Sequence, residues 1–411
     1  LSLNVRQDLQ TAWIWQTLHL LASVRSLRLF ECVKIRRWFE LEDFMRLGIF
    51  ILILILLQVF TFGLGKSLQW LFAPLVGKRG RSLLMVLAYV LTNAILLGVV
   101  LQMTGYLEMK VLLFRMMAMW MVVLLYVMYA ALATFLLYLM LRKIMDKPPL
   151  SRSLRVFAPL FFIGLMVLSV YNAYVPVVHH QVVSINKKMG KPLRIGLASD
   201  THLGEWFGAN QLDKLADIMK QEAVDIILLP GDLMDDNVIA YRSQNMQPHL
   251  QKLNAPLGVY ATLGNHDLFG SERQIKEELE KAGIRVLENE ALETNGLLLV
   301  GRNDDLDFLR PTTEQLLIGQ NTRLPVLLMD HRPNDIHLHQ HLPIDIQVSG
   351  HVHNGQVAPA NLIVRALNRL AYGYEAIGNG HYFVTSGYGF WGIPMRLGSQ
   401  SEVWIIDVQG M

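Results

Sequence analysis

Five short stretches in the second half of the chain carry the residue types that do metal chemistry. They are Ser199-Asp200-Thr201-His202, Pro230-Gly231-Asp232-Leu233-Met234-Asp235, Gly264-Asn265-His266-Asp267, Asp330-His331-Arg332-Pro333 and Gly350-His351-Val352-His353. Each sets Asp, Asn or His directly behind a run of β-forming apolar residues. Leu193–Ser199, Asp225–Leu229, Val259–Leu263, Leu324–Met329 and Ile344–Ser349 read as short buried strands. Strand ends are where an α/β fold presents its chemistry. Hard oxygen ligands and imidazoles converging there suit Zn²⁺, Mn²⁺ or iron without any thiolate.

In order and content the five blocks resemble the calcineurin-like metallophosphoesterase family, whose pattern is D-x-H, G-D-x-x-D, G-N-H-D/E, a lone His and G-H-x-H. The resemblance covers roughly Leu193 to Val408. It implies a two-sheet β-sandwich flanked by helices, where periodicity alone gives α/β. It also implies two divalent cations (Mn, Fe or Zn) bridged by Asp232. Asp200, His202 and His353 would hold the first cation, and Asn265, His331 and His351 the second. A hydroxide between such cations attacks phosphorus in line while they neutralise the phosphate oxygens. By the same resemblance His266 stabilises the transition state or acts as leaving-group acid, and Asp235 orients it. Asp267 ties down the loop.

Backbone expectations accompany this assignment. Asp200 and His202, two residues apart, point the same way from extended backbone, as do His351 and His353. Gly231, Gly264 and Gly350 permit unusual backbone angles at the strand-to-loop turns. Spacing alone leaves His337, His339 and His341 as rivals to His331. His331 matches the family's H-x-P through Pro333, and the other three read as polar surface.

Gly387–Gly392 matches G-x-G-x-x-G, but Pro394 falls where a helix would open, which argues against a dinucleotide site. The stretch Gly387–Gly398, with Arg396, is instead similar to a G-x-G-F-W-G-x-P-x-R-x-G segment in a bacterial membrane-associated branch of the family. That branch carries G-H-T-H-G-G-Q, from which this chain departs at Val352 and Asn354, neither a ligand position.

The elements that must position these residues occupy only part of the 411 residues. The chain is 52% hydrophobic and 17% charged, unusually apolar for a soluble protein. A net charge of +3 is too small to argue for nucleic acid, and the one cysteine, Cys32, excludes an intrachain disulfide or a cysteine zinc site. Residues 1–44 form a segment of uncertain status. It reads as a surface amphipathic helix, or as sequence preceding a translation start at Met45. Residues 45–178 hold four apolar spans, Leu47–Leu64, Leu83–Met103, Met116–Leu141 and Val156–Val175, apolar on all sides as bilayer-crossing helices are. Asn93 and Arg115 read as a structural amide and a snorkelling cation rather than a transport path, so the spans read as an anchor.

Residues 179–192 read as a linker with a basic patch at Lys187, Lys188 and Lys191, and residues 193–411 as the catalytic domain. Within it, Asn210 is expected to cap a helix, Ser271 with Gln274 to form a capping box, Asn295-Gly296 a hairpin turn and Glu402–Val408 a last strand. Leu362–Tyr372 has helical apolar spacing, read first as a helix packed on the core and second as an amphipathic lid that admits a lipid tail or touches the bilayer.

The expected protein is a multi-pass enzyme of the bacterial cytoplasmic membrane that hydrolyses phosphoester or pyrophosphate bonds. Tethering favours lipid-linked substrates. The alternative is an inactive membrane scaffold or sensor with a metal-holding domain. Lys and Arg concentrate in the loops after the first and third spans, which places those loops in the cytoplasm and the catalytic domain outside.

Overall fold

The computed structural model describes residues 32–103 and 110–410. Most of the segment 1–44 therefore lies outside the described residues. Two compact units are present, the first ending at Asn93 and the second beginning at Ala94.

Four helices are long and apolar enough to cross a membrane, with spans at Ile51–Leu71, Lys78–Gln102, Leu112–Leu141 and Lys147–Tyr174. In the first unit, Gln58 Nε2 donates to Asn93 Oδ1 at 3.2 Å and Thr61 Oγ1 meets Thr92 Oγ1 at 3.1 Å. Asn93 is thus bonded to a neighbouring helix, as a structural amide should be. In the second unit the third and fourth spans pair as a hairpin, and Tyr126 Oη meets Ser169 Oγ at 2.6 Å in its interior. Val156, Leu160, Ile163 and Val167 leave the outer face of the fourth span apolar and uncovered.

The rest of the second unit is a sandwich of two six-stranded sheets. One has the order β1 (Val177–Ile185), β12 (Glu402–Gly410), β2 (Leu193–Leu197), β3 (Ile226–Pro230), β4 (Val259–Thr262), β5 (Arg285–Val286). The other runs β10 (Gly373–Ile377), β11 (Gly380–Val384), β9 (Ile346–Ser349), β8 (Val326–Asp330), β7 (Leu297–Arg302), β6 (Glu290–Thr294). The strands that precede the five blocks, β2, β3 and β4 in one sheet and β8 and β9 in the other, run parallel to their neighbours in that set. Parallel strands are covered on both faces, which explains their continuous apolar runs. In β3, Ile226 and Leu228 face the core between the sheets, while Ile227 and Leu229 face a second core beneath the helix Ala209–Gln221. Each fully buried Ile or Leu stabilises by about 1.5–3 kcal/mol, so these short strands are held by side-chain burial on both faces.

The turn Asn295-Gly296 joins β6 to β7 with both residues at positive φ, 51° and 74°, the two-residue hairpin expected of Asn-Gly. Other local expectations differ from the structure. The helix expected to be capped by Asn210 starts two residues earlier, at Ala209, with Gly208 at its N-cap, whose N–H donates to Gln211 Oε1 at 3.0 Å. Ser271 precedes the helix Glu272–Lys281 without a side-chain cap.

The expected linker 179–192 begins as sheet. Val177–Ile185 pairs in register with Glu402–Gly410, and His179 Nε2 lies 3.3 Å from the buried Glu402 carboxylate. The basic patch is split as well, since Lys187 Nζ reaches Asp345 Oδ2 at 2.6 Å. A β-branched run beside an unpaired strand edge gains a full ladder there, which a free linker would forgo. The helix expected at Leu362–Tyr372 spans Ala360–Leu367 and buries none of its residues, so it is not packed on the core.

Candidate metal centre

The five blocks meet at the carboxyl ends of β2, β3, β4, β8 and β9. Asp200, His202 and His353 present ligand atoms within 4.8 Å of one another, and so do Asp232, His331 and His351. The Asp232 carboxylate lies between the two groups. Its Oδ2 is 3.1 Å from His331 Nε2 and 3.8 Å from His202 Nε2. Asn265 Oδ1 sits 2.8 Å from His351 Nδ1, and His353 Nε2 is 3.4 Å from Asp200 Oδ1. All seven residues expected as ligands are therefore brought together.

The backbone achieves this in a way that alternation does not anticipate. Asp200, His202, Asp232, His351 and His353 all have positive φ, between 42° and 70°. They lie in loops past the strand ends, not on extended backbone. Non-glycine residues in the left-handed region are uncommon and are sustained only by the surrounding structure. Here the surroundings are backbone hydrogen bonds across blocks. Asp200 N donates to Gly231 O at 3.0 Å, and His202 N to Asp232 O at 3.1 Å. The neighbouring glycines serve space more than angle. Gly231 has φ 88°, but Gly264 and Gly350 do not adopt positive φ. A Cβ at Gly264 would collide with Asp232 Oδ1, and one at Gly350 with Asp200 Oδ2.

The buried polar atoms fit divalent cations. Asp200 Oδ2 and His202 Nδ1 are buried without a hydrogen-bond partner, and such atoms are costly unless something is bound to them. His331 Nδ1 donates to Pro230 O at 2.8 Å, which leaves Nε2, facing the Asp232 carboxylate at 3.1 Å, as its ligand nitrogen. The electrostatics of the bare protein carry the same message. Burial works against ionisation of Asp232, but His331, then His202 and His266, outweigh it and hold its carboxyl far below the usual range. Burial and the charge of Asp232 push Asp200 up to about 6. His331 rises to about 10 although burial opposes it, because Asp232, Asp200 and Asp304 surround it. Burial takes His202 and His351 down to about 3, leaving neutral imidazoles suited to ligation. The carboxylates thus draw one compensating proton onto His331, a charge that bound cations would replace.

Around this cluster the loops are tied together. Asp267 accepts from Leu233 N, Met234 N and Gly264 N, each at 3.0 Å to one of its oxygens, and so joins the second and third blocks. The segment Gly387–Gly398 covers the first block: Tyr388 N donates to Ser199 O at 2.8 Å and Gly389 N to Asp200 O at 2.9 Å. Arg396 is fully buried there, donates to Ser386 O at 2.7 Å and to Gly389 O, and lies 3.1 Å from His353 Nδ1. Burial lowers it only to about 10, so it remains a cation at neutral pH.

The carboxylate hydrogen-bonded to His266 differs from the expected one. His266 Nδ1 donates to Asp236 Oδ1 at 2.5 Å. Asp235 lies close to His266 and His202, but its Oδ2 accepts from Arg115 Nη2 at 2.7 Å. Adjacent carboxylates in D-L-M-D-D cannot be separated by spacing. The left-handed backbone at Asp236, φ 64°, turns that side chain toward His266. Arg115 in turn does not snorkel. It pairs with Asp235 and with Glu205, each at 2.7 Å, and its guanidinium lies 5.0 Å from the Trp206 ring.

The rival histidines are otherwise engaged. His339 is buried, against the surface reading, with Nε2 bonded to Thr313 Oγ1 at 2.7 Å and Nδ1 to Gln347 Oε1 at 2.8 Å. The grouping of His339 with Asp330 and Asp335 is an ion-pair site, since Arg302 Nη1 binds both carboxylates at 3.0 and 2.6 Å. His337 and His341 are exposed.

A family model described as calcineurin-like phosphoesterase matches residues 193–355. An uncharacterized metallophosphoesterase from Aquifex aeolicus is 33% identical over 231 residues, covering 54% of this chain and 87% of that relative. An uncharacterized metallophosphoesterase from Helicobacter pylori strain J99 is 30% identical over 223 residues, 53% of this chain and 60% of the relative. A Danio rerio protein named transmembrane protein with metallophosphoesterase domain is 32% identical over 228 residues, 51% of this chain and 52% of the relative. The match thus spans little more than half the length of these last two relatives.

Proposed function

Because the chain belongs to the calcineurin-like metallophosphoesterases, we propose that it hydrolyses phosphoester bonds at a two-cation site carried on a membrane-spanning helical base. The observation that carries this reading is Asp232, whose carboxylate stands between two histidine-bearing groups, facing His331 Nε2 and His202 Nε2, beside the unpartnered Asp200 Oδ2. Asp200, His202 and His353 would hold one cation and Asn265, His331 and His351 the other, with Asp232 shared. When bound, such cations neutralise phosphate oxygens and activate water near neutral pH.

The chain's own residues supply the rest. His266 has Nδ1 committed to Asp236, which leaves Nε2 to serve the phosphate or the leaving oxygen. Burial lowers the proton affinity of His266, but Asp236 first and Asp232 next raise it further, so the ring is held protonated above its ordinary range. Asp267 and Arg396 keep the loops in register. An inactive metal-holding scaffold would need the ligand set but not His266, whose presence beside it favours the enzyme over a membrane sensor.

We place the four helices in the bacterial cytoplasmic membrane and the catalytic domain outside. The loop 142–146 carries Arg142 and Lys143 at the end of the third and fourth spans opposite the catalytic sandwich, and basic short loops stay in the cytoplasm. The test is full-length protein loaded with Mn²⁺, assayed on bis-p-nitrophenyl phosphate with metal counted by elemental analysis. Two metals per chain with hydrolysis is the expected result, and one or none in active protein overturns the two-cation site. Paired reporter fusions after Met411, one active only outside and one fluorescent only inside, test the orientation.

A further inference from the structure

The third and fourth spans are not a detached stalk, because the rim of the metal centre is packed between them. Ile393 and Met395 are buried against Val122 and Tyr126, with Phe162 and Met166 beside them. Arg396 N donates to Ser169 O at 2.9 Å, and Tyr129 Oη to Ala358 O at 2.8 Å. These contacts fix how deep the rim sits. The Tyr126–Ser169 pair sets the register of the hairpin, bringing Leu141 level with Leu154. Beyond that level lie the charges of Arg142, Lys143, Lys147 and Arg152, with Arg155 one residue inside it. An upright helix crosses a hydrocarbon layer of about 30 Å in about 20 residues, which puts the near edge at Met121 and Tyr174. Ser169 is then about 7 Å inside that edge, and so is the backbone of Arg396 bonded to it. Arg115 falls about 9 Å outside it, just beyond a headgroup layer of about 5–7 Å, where it reaches Asp235 beside His266.

Beside these contacts the site's lip is apolar and uncovered. Trp391, 57% exposed, has its ring centre 5.9 Å from that of His266 and is two residues from Ile393, which packs on the third span. Phe269, 54% exposed, lies 5.3 Å from the same ring. The helix Ala360–Leu367 starts two residues after Ala358 and leaves Leu362, Ile363 and Leu367 exposed at 64%, 58% and 78%. An exposed apolar helix face interleaved with Arg365, at this depth, has the character of an interfacial membrane helix.

We propose that the helix Ala360–Leu367 lies in the bilayer and, with Trp391 and Phe269, forms an apolar passage by which a lipid-linked phosphate ester reaches His266 from the membrane. The substrate class is a phosphate at headgroup height on a long hydrocarbon chain. This rests on the phosphoesterase reading, and two measurements keep the two ideas apart.

The first uses full-length protein in phosphatidylcholine vesicles and two probes with one leaving group, ethyl p-nitrophenyl phosphate and hexadecyl p-nitrophenyl phosphate. The double variant Ile363→Glu/Leu367→Glu should keep the ethyl ester rate within twofold and lose at least tenfold on the hexadecyl ester. Both enzymes see identical vesicles, so simple partitioning of the probe cancels. Equal rates of the variant and the native protein on both esters overturn the passage, whereas no turnover of either ester by native protein refutes the phosphoesterase reading instead. The second measurement needs no turnover. A spin label on Ile363→Cys, with Cys32→Ser, should be relaxed more by oxygen than by a water-soluble nickel chelate. Preferential relaxation by the nickel chelate puts the helix in water and overturns the proposal whether or not the enzyme is active.

Discussion

Replacing Asp236 by Asn tests whether the carboxylate that touches His266 is the one that serves it. Hydrogen bonds to charged groups contribute about 1.5–3 kcal/mol. The Asp236 side chain is 52% exposed, and solvent screening cuts such a contact to roughly 1–2 kcal/mol, a factor of about 5–30 in rate. If His266 protonates the leaving oxygen, the loss belongs to kcat and grows as the leaving group worsens. Asp236→Asn should therefore lose about 5–30-fold on phenyl phosphodiesters and less on p-nitrophenyl ones, with KM and metal content unchanged. His266→Ala sets the ceiling, about 10²–10⁴-fold for a positioned acid. Asp235→Asn should act differently. It releases Arg115, so its loss should be similar for good and poor leaving groups. The assay is a series of substituted phenyl esters with the full-length protein. A leaving-group-selective loss in Asp235→Asn that is absent in Asp236→Asn would refute the assignment.

Three further outcomes are expected. Asp232→Asn should lose metal and activity together, and His331→Ala should lower metal content by one per chain, while His337→Ala and His341→Ala leave it unchanged; elemental analysis decides both. Gly350→Ala should reduce metal binding at least tenfold, because its Cβ has no room beside Asp200 Oδ2, and the check is a metal titration alongside a circular dichroism spectrum showing retained fold. A fragment beginning at Val177 should melt above one beginning at Val182, since the shorter one loses the pairing of Val177–Gln181 with Glu402–Ile406; equal melting temperatures would mean that this half of β1 contributes nothing.

Much of this protein could be read along the chain. Metal ligation needs particular atoms behind particular strand ends, so the five blocks, their order and their apolar leaders announced the site. The spans were legible for a similar reason, because a bilayer demands about 20 consecutive apolar residues whatever they pack against. Asn295-Gly296 declared its turn because only such residues adopt two successive positive φ values cheaply. What the chain could not declare were choices between chemically equal neighbours and contacts between distant segments. Asp235 and Asp236 have the same carboxylate, and a left-handed backbone angle decides which of them meets His266. Alternation misplaced the backbone of Asp200 and His202, since period-two reasoning assumes extended chain and these residues lie just past it. Arg115 looks like a cation at the end of a span until the fold brings Glu205 and Asp235, 90 and 120 residues away, within 2.7 Å. The helix Ala360–Leu367 has the spacing of a core helix, and only tertiary structure shows that, among the described residues, none of its side chains is buried. Local propensity and ligand chemistry are carried by neighbours in sequence, whereas the choice of partner, and which apolar surfaces stay uncovered, are set by how the sheets and helices pack.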